Sequence, residues 1–419
     1  MTTLSLAWQS LCNRRLTALL SVIAIALSIT LFLGVERLRI GAQASFTNTI
    51  SGTDLIVGAR AGNVQLLLYS VFRIGNATAN VSMDSIDTIA AREDVDWVVP
   101  ISLGDSHRGY RVVATTNDYF TYYRFGNKQP LSFAAGDRFD DLFDVVMGAE
   151  VAEVFDYKPG DEIVVAHGIG AIEGRAHDNL PFRISGILER TGTPVDRSVH
   201  ISLEAFEAIH IGWDDGTQFT GFQLDSDQLR ELPLRPTSVT AALVGTKSRF
   251  AIFNVQRFVN FYREEPLSAV IPGVALQELW AIVGIAETAL TAVSAMVVLT
   301  AILGMVTMIL STLNERRQEI AILRALGANT RTVFSLLMLE SVILAAGGIL
   351  LGTALLYGVL LIVNPWIEQT YGLFLAITAP SLYELQLMGL ILLIACVVGT
   401  VPALRAYRQS LADGMSVQR

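Results

Sequence analysis

"LTALLSVIAIALSITLFLGV", residues 16–35, holds no charged side chain. An α-helix needs about 20 apolar residues to cross the ~30 Å hydrocarbon core of a bilayer. The run is longer than the ~7–15-residue core of a secretory signal, and no convincing A-x-A exit follows it, so it reads as an uncleaved span. Further apolar regions cover 281–313, 334–363 and 386–404. Four spans put both ends of the chain on one side of the membrane.

Lys and Arg set the orientation. Arg14 and Arg15 precede the first span, Arg316, Arg317, Arg324 and Arg331 lie between the second and third, and Arg405, Arg408 and Arg419 follow the fourth. Residues 364–385 contain none. Basic residues stay cytoplasmic, so 364–385 and the long segment 39–280 face outward. Residues 36–280 carry 21 Lys and Arg against 32 Asp and Glu, a net of −11, whereas the whole chain is −9. An acidic outer part with basic membrane-proximal segments excludes nucleic acid as a natural partner and leaves membrane lipids as one. The outer segment has no cysteine, since Cys12 and Cys396 lie elsewhere, and at this length it folds without disulfides.

The outer segment reads as α+β. Strands are expected at 54–59, 95–102, 110–116, 158–166, 181–192 and 237–246, and strands running into helices at 145–155 and 197–210. Helices are expected at 82–94, with Ser82 as N-cap, and at 249–262. This order suggests two α+β subdomains.

The loop between spans two and three is "NERRQEIAILRALGANT", residues 314–330. From Glu315 to Gly327 the pattern suits a short amphipathic helix, with Ile320, Leu323 and Leu326 on one face and charge on the rest. Gly327 is a natural residue to end it. A basic loop obeying the charge bias would explain the arginines but neither the glutamates nor the apolar stripe; a stripe lying on the membrane surface is the other plain reading.

"NERRQEIAILRALGA" resembles the segment after the second span in permeases of the MacB/FtsX type, a four-span family of ATP-binding-cassette systems. "LAWQSLCNRRLTALLSVIAIALSI" (6–29) is similar to the family's interfacial helix and first span. "MGAEVAEVFDYKPGDEI" (147–163) and "FRISGILERTGTPVDRSVHISLEAF" (182–206) are similar to its external domain, and "PALRAYRQS" (402–410) to its exit from span four. The resemblance covers essentially the whole chain. It implies an α-helical membrane protein with four transmembrane helices and a large extracytoplasmic α+β domain between spans one and two. The expected order is an interfacial helix at 1–15, a first span at 16–38, the outer domain at 39–280, and a stalk plus second span at 281–313. A coupling helix at 314–330, spans at 334–363 and 386–404 and a cytoplasmic tail at 405–419 complete it.

The resemblance further implies a homodimer in the bacterial inner membrane, each copy docked on an ABC ATPase. Glu315, Arg316, Arg317, Glu319, Ile320, Leu323, Arg324 and Gly327 would form the coupling surface. Its apolar stripe would seat in a groove, and its charges would select the partner. No phosphate loop of the G-x-x-x-x-G-K-[ST] type occurs; "ALVGTKSRF" lacks the earlier Gly and lies in the outer domain. The expectation is therefore a non-catalytic permease without a cofactor of its own, ATP being bound by a separate ATPase polypeptide. It would export or extract a substrate by transmitting motion to its outer domain. The alternative is a signalling device that activates an extracytoplasmic partner such as a cell-wall hydrolase.

His107, His167, His177, His200 and His210 all lie in the outer domain, 10 or more residues apart. Without short paired spacing they read as scattered core or surface histidines, with a metal site as the open alternative. Glu287 is expected near the outer surface, Glu340 near the cytoplasmic interface, and Pro402 as a kink or end of span four.

Overall fold

The computed structural model describes residues 3–168, 180–211, 213–214, 217–218, 225–312, 328–371 and 377–413. They form two compact units, one of residues 1–41, 284–368 and 375–419, the other of 42–283 with 369–374.

The first unit is helical. A short helix α1 (Thr3–Asn13) precedes the long α2 (Arg15–Thr49). Three further helices, α10 (Pro272–Thr312), α11 (Thr330–Tyr371) and α12 (Leu382–Asp413), supply the other candidate spans. All four long helices exceed what the hydrocarbon requires. The outer loop expected at 364–385 is partly helical, because α11 continues to Tyr371 and α12 begins at Leu382. Nor does α12 end at Pro402; it continues to Asp413.

In lipid no water-driven force pulls helices together, so close backbone approach and polar contacts do so instead. A Cβ on Gly348 would stand 2.4 Å from Ile25 Cγ2, and one on Gly352 would stand 2.6 Å from Ala26 O. These two glycines, four apart on α11, let it press against α2, and Thr30 Oγ1 donates to Gly352 O at 2.9 Å. Gly399 of α12 plays the same part against Ser341, whose Oγ would lie 2.7 Å from an added Cβ. The packed interior includes Ile25, Ile29, Leu33, Ile302, Met305, Leu337, Leu344 and Ala395.

The second unit is built on one sheet. Its strands are β1 (Leu55–Ala59), β2 (Val95–His107), β3 (Tyr110–Thr115), β4 (Phe133–Gly136), β5 (Asp144–Met147), β6 (Glu162–Ile163), β7 (Ala166–His167), β8 (Phe182–Leu188), β9 (Ser198–Ser202), β10 (Ala241–Thr246) and β11 (Leu267–Val270). The order is β11-β1-β10-β2-β3-β9-β5-β8-β4, with β7 beside β2 and β6 beside β8. Pairing is antiparallel except between β3 and β9 and between β5 and β8. The strands expected to fall into two α+β subdomains thus lie in a single mixed sheet within one compact unit.

Both faces of this sheet are covered, which the period-2 alternation of strand side chains makes visible. Leu55, Val57, Val112, Ala114, Val145, Met147, Ala242 and Val244 point into one core. Their neighbours Ile56, Val113, Val146, Ala241 and Leu243 point into the other. The first core is closed by α4 (Met83–Ala90), α6 (Ala149–Phe155), α7 (Leu203–His210), α8 (Ser226–Arg230) and α9 (Arg249–Asn260), through residues such as Ile86, Ile89, Val151, Ile209, Leu229 and Val255. The second is closed by α3 (Asn63–Ser70) and α5 (Asp118–Tyr122), through Leu66, Leu67, Tyr119 and Phe120.

Serine caps start three helices of the first core, α4, α7 and α9. Ser82 accepts from Ser85 N, Ser202 from Ala205 N and Ser248 from Ala251 N. At the sheet edge, Ala269 N donates to Asn260 Oδ1 at 2.8 Å, and Gln256 Nε2 donates to Ala269 O at 3.2 Å. Side chains of α9 therefore satisfy outward-facing backbone groups of β11.

Candidate functional site

The eight residues expected to form a coupling surface, Glu315, Arg316, Arg317, Glu319, Ile320, Leu323, Arg324 and Gly327, lie outside the described residues. What is described is their setting in the chain. They fall between α10, which ends at Thr312, and α11, which begins at Thr330.

At the far ends of the spans the membrane unit carries a buried ion pair. Arg37 of α2 meets Glu384 of α12: Nη2 donates to Oε2 at 2.9 Å, while Nε and Oε1 lie 2.6 Å apart. The second contact is not aligned as a hydrogen bond and is Coulombic. Arg37 also donates to Thr378 Oγ1 at 2.7 Å, Thr378 O at 3.2 Å and Ala379 O at 3.3 Å. Glu384 accepts from Ser381 N at 2.7 Å, and Ser381 Oγ accepts from Glu384 N at 3.2 Å. That reciprocal pair is a capping box, written in the sequence as Ser381-Leu382-Tyr383-Glu384. Tyr357 of α11 donates to Thr378 O at 2.7 Å. One charged cluster thus ties together α2, α11 and α12. Glu384 side chain is 2% exposed and Arg37 11%. Nearby on α2, Arg39 pairs with Glu36 at 2.6 Å. Glu287 is half-buried and Glu340 buried within the helical unit.

In the outer unit, "RTGTPVD" forms a tight turn organised by Asp196. Its carboxylate accepts from Thr191 N and Thr191 Oγ1, both at 2.8 Å, and from Gly192 N at 2.7 Å. Burial pushes the Asp196 carboxyl up from its usual range, against those donors. Next along the chain, His200 on β9 is fully buried among Tyr119 and Phe120, with Nδ1 3.3 Å from Val146 O. Burial, with the Arg73 charge adding to it, holds its pKa down at about 3. His200 is a neutral core residue.

Two other histidines behave differently. Antiparallel pairing of β7 with β2 sets His167 opposite Asp105. His167 Nδ1 lies 3.1 Å from Asp105 Oδ1. At the end of α7, His210 turns its ring toward them, with ring centroids of His167 and His210 4.8 Å apart. His210 Nε2 is 3.7 Å from Asp105 Oδ2. His107, two residues from Asp105 on β2, is occupied elsewhere, with Nδ1 2.7 Å from Val164 O and Nε2 2.9 Å from Tyr157 OH. The expectation of scattered histidines thus fails for this pair. His167 and His210 are far apart in sequence, and only strand pairing and a helix end bring them together. His177 lies outside the described residues.

Comparison with known proteins places these features in a family. Residues 18–232 match the MacB-like periplasmic core domain, and residues 291–411 match the FtsX-like permease C-terminal domain. The macrolide export ATP-binding/permease protein MacB of Nitrobacter winogradskyi is 24% identical, over 97% of this chain and 60% of its own length. The protein of that same name in Bdellovibrio bacteriovorus is 23% identical, over 95% of this chain and 59% of its own. The chain therefore spans about 60% of the length of the curated relatives it matches. Among solved structures, the periplasmic region of MacB from Actinobacillus actinomycetemcomitans aligns over 55% of this chain, with 11% identity and a TM-score of 0.34. It is itself 94% covered. The extracellular domain of the noncanonic ABC-type transporter YknZ from Gram-positive bacteria aligns over 52%, with 13% identity and a TM-score of 0.30, and is 98% covered. With its periplasmic core domain, its permease domain and four helices of spanning length, the chain belongs to the MacB/FtsX-type ABC transporter permease family, as a multi-pass membrane protein with a large extracytoplasmic domain.

Proposed function

We propose that this chain is the membrane-spanning half of a mechanical export system in the bacterial inner membrane. An ABC ATPase on a separate polypeptide binds the loop 314–330, and two copies of the chain carry its closing motion to the outer domain. The outer domain then extracts or expels a substrate on the far side of the membrane. Family membership supports the reading. The single observation that carries it is the loop sequence: an apolar stripe of Ile320, Leu323 and Leu326 flanked by Arg316, Arg317 and Glu319, on the segment that joins α10 to α11. No phosphate loop occurs in these 419 residues, which supports an ATP site outside them. The crossings of the chain between its two units after residues 41, 283 and 368 fall inside helices α2, α10 and α11. A helix transmits displacement along its axis where a loop absorbs it.

The test isolates the full chain from its native membranes in mild detergent, identifies the subunits that accompany it, and measures ATP hydrolysis. Glu319→Lys or Leu323→Asp places an unpaired charge in the docking groove, at a cost of about 3–5 kcal/mol. Retention of the ATPase should fall by about 100-fold or more, with insertion and outer-domain folding unchanged. Full retention and full ATPase stimulation in both variants would reject the proposal.

A further inference from the structure

We infer that Asp105, His167 and His210 form a binding site for a divalent transition-metal ion of the zinc type on the extracytoplasmic domain. His210 Nδ1 lies 2.6 Å from Phe206 O. A carbonyl oxygen only accepts, so Nδ1 carries a hydrogen and Nε2 is the ring nitrogen turned toward the cluster. Nε2 faces Asp105 Oδ2 at 3.7 Å. At 3.7 Å the gap is too wide for an N–H···O hydrogen bond, which spans about 2.7–3.2 Å. It is close to the ~3.3 Å separating two ligands of one tetrahedral zinc with bonds of about 2.0 Å.

Asp105 strengthens the point. Its side chain is 1% exposed, and Oδ2 accepts no hydrogen bond. A buried carboxylate oxygen left without a donor is costly, and a metal cation satisfies it directly. One ligand atom from each of the three residues lies within 4.8 Å of the other two. His167 and His210 side chains are 20% and 30% exposed, so an ion can reach them from solvent and the rings have room to close on it. The His210 ring is already aimed by its bond to Phe206 O, the outer-shell support that metal-binding histidines commonly have. Two imidazoles and a carboxylate suit zinc, nickel, cobalt or copper(II), and not the all-oxygen preference of calcium or magnesium. Three protein ligands leave a position for water or an outside ligand.

The test uses the full chain, without a polyhistidine tag, in detergent micelles after treatment with EDTA. Zn²⁺ is titrated calorimetrically, and Co²⁺ is followed by its visible d–d absorption. The wild type should bind one equivalent of zinc with a dissociation constant of about 10 µM or tighter, and zinc should raise its melting temperature until EDTA is added. His167→Gln and His210→Gln, both at partly exposed positions, should each weaken binding by about 10-fold or more while the metal-free melting temperature stays within a few degrees. Absence of saturable binding by the wild type would overturn the site. So would variants that bind zinc as tightly as the wild type, which would place the ion elsewhere. The wild-type titration stands alone if a variant fails to fold.

Discussion

Replacing Arg37 with Met should destabilise the helical unit far more than replacing its partner Glu384 with Gln, although each change removes one end of the same ion pair. In Arg37→Met the Glu384 carboxylate, 2% exposed, keeps one donor, Ser381 N at 2.7 Å. A buried charge stripped of its partner costs about 3–5 kcal/mol. The variant also deprives Thr378 and Ala379 carbonyls of their guanidinium donor. In Glu384→Gln the guanidinium retains Thr378 Oγ1, Thr378 O and Ala379 O, and the new amide oxygen still accepts from Ser381 N. The charge attraction is lost and the amide NH2 stands where Oε1 faced Arg37 Nε, together about 1–3 kcal/mol, as for a single charged hydrogen bond. Removing both charges, as Arg37→Met with Glu384→Gln, leaves no orphaned ion and should cost less than the sum of the single changes by at least about 1 kcal/mol. Unfolding of the detergent-solubilised chain in mixed micelles, followed by tryptophan fluorescence, measures all of these. Two results would refute the reasoning: a cost below about 1 kcal/mol for Arg37→Met, or a strictly additive cycle.

Gly352→Leu drives a side chain into Ala26 O and Ile29, and overpacking of that kind should cost about 1–3 kcal/mol, seen as a lowered midpoint in the same micelle titration. Gly358, which has open space where a Cβ would stand, should accept Ala with little change. The fold holds His200 neutral, with a pKa of about 3, whereas the unfolded chain protonates it near 6.5. Between those values the unfolded state binds more protons, so stability is complete above pH 6.5 and falls as pH drops toward 3, by at most about 5 kcal/mol. His200→Gln should flatten that slope in pH-dependent melting. Cysteine in place of Phe250, 85% exposed, should react with a membrane-impermeant maleimide in intact cells, and cysteine at Gln318 only after permeabilisation. The reverse pattern would invert the topology.

The elements most legible in the sequence are those with strong local signals. Ser82 caps α4 as its spacing to the following apolar residues places it, and Ser248 caps α9 just before the helix start expected at 249. The expected strands at 54–59, 110–116 and 237–246 contain β1, β3 and β10 because each holds a short, nearly continuous apolar run that is buried on both faces of the sheet. The strand expected at 158–166 shrinks to the short pairs β6 and β7, since its ladder depends on partners far away in the chain. Hydropathy marked the apolar centre of each span but not its ends. Pro272, at a helix start where a missing N–H costs nothing, opens α10 well before residue 281. Polar ends such as Glu36 to Thr49 of α2 hold only scattered apolar residues and no continuous apolar run. Two features of the membrane unit had readable signatures that hydropathy passes over: the Gly348-x-x-x-Gly352 spacing, and the Ser381-x-x-Glu384 box. No spacing rule could join Asp105, His167 and His210, because their meeting depends on strand register and a helix end.

The way α9 attends to strand β11 bears on which assemblies the outer domain can enter. A bare sheet border invites any extended peptide to zip onto it, including the same border of another copy. Here Asn260 and Gln256 occupy the amide and carbonyl of Ala269 that such a peptide would need. Along this border, contact between copies by a shared backbone ladder is foreclosed. A companion protein meeting it must recognise side chains, and in a crowded compartment the same two residues guard the domain against runaway strand addition.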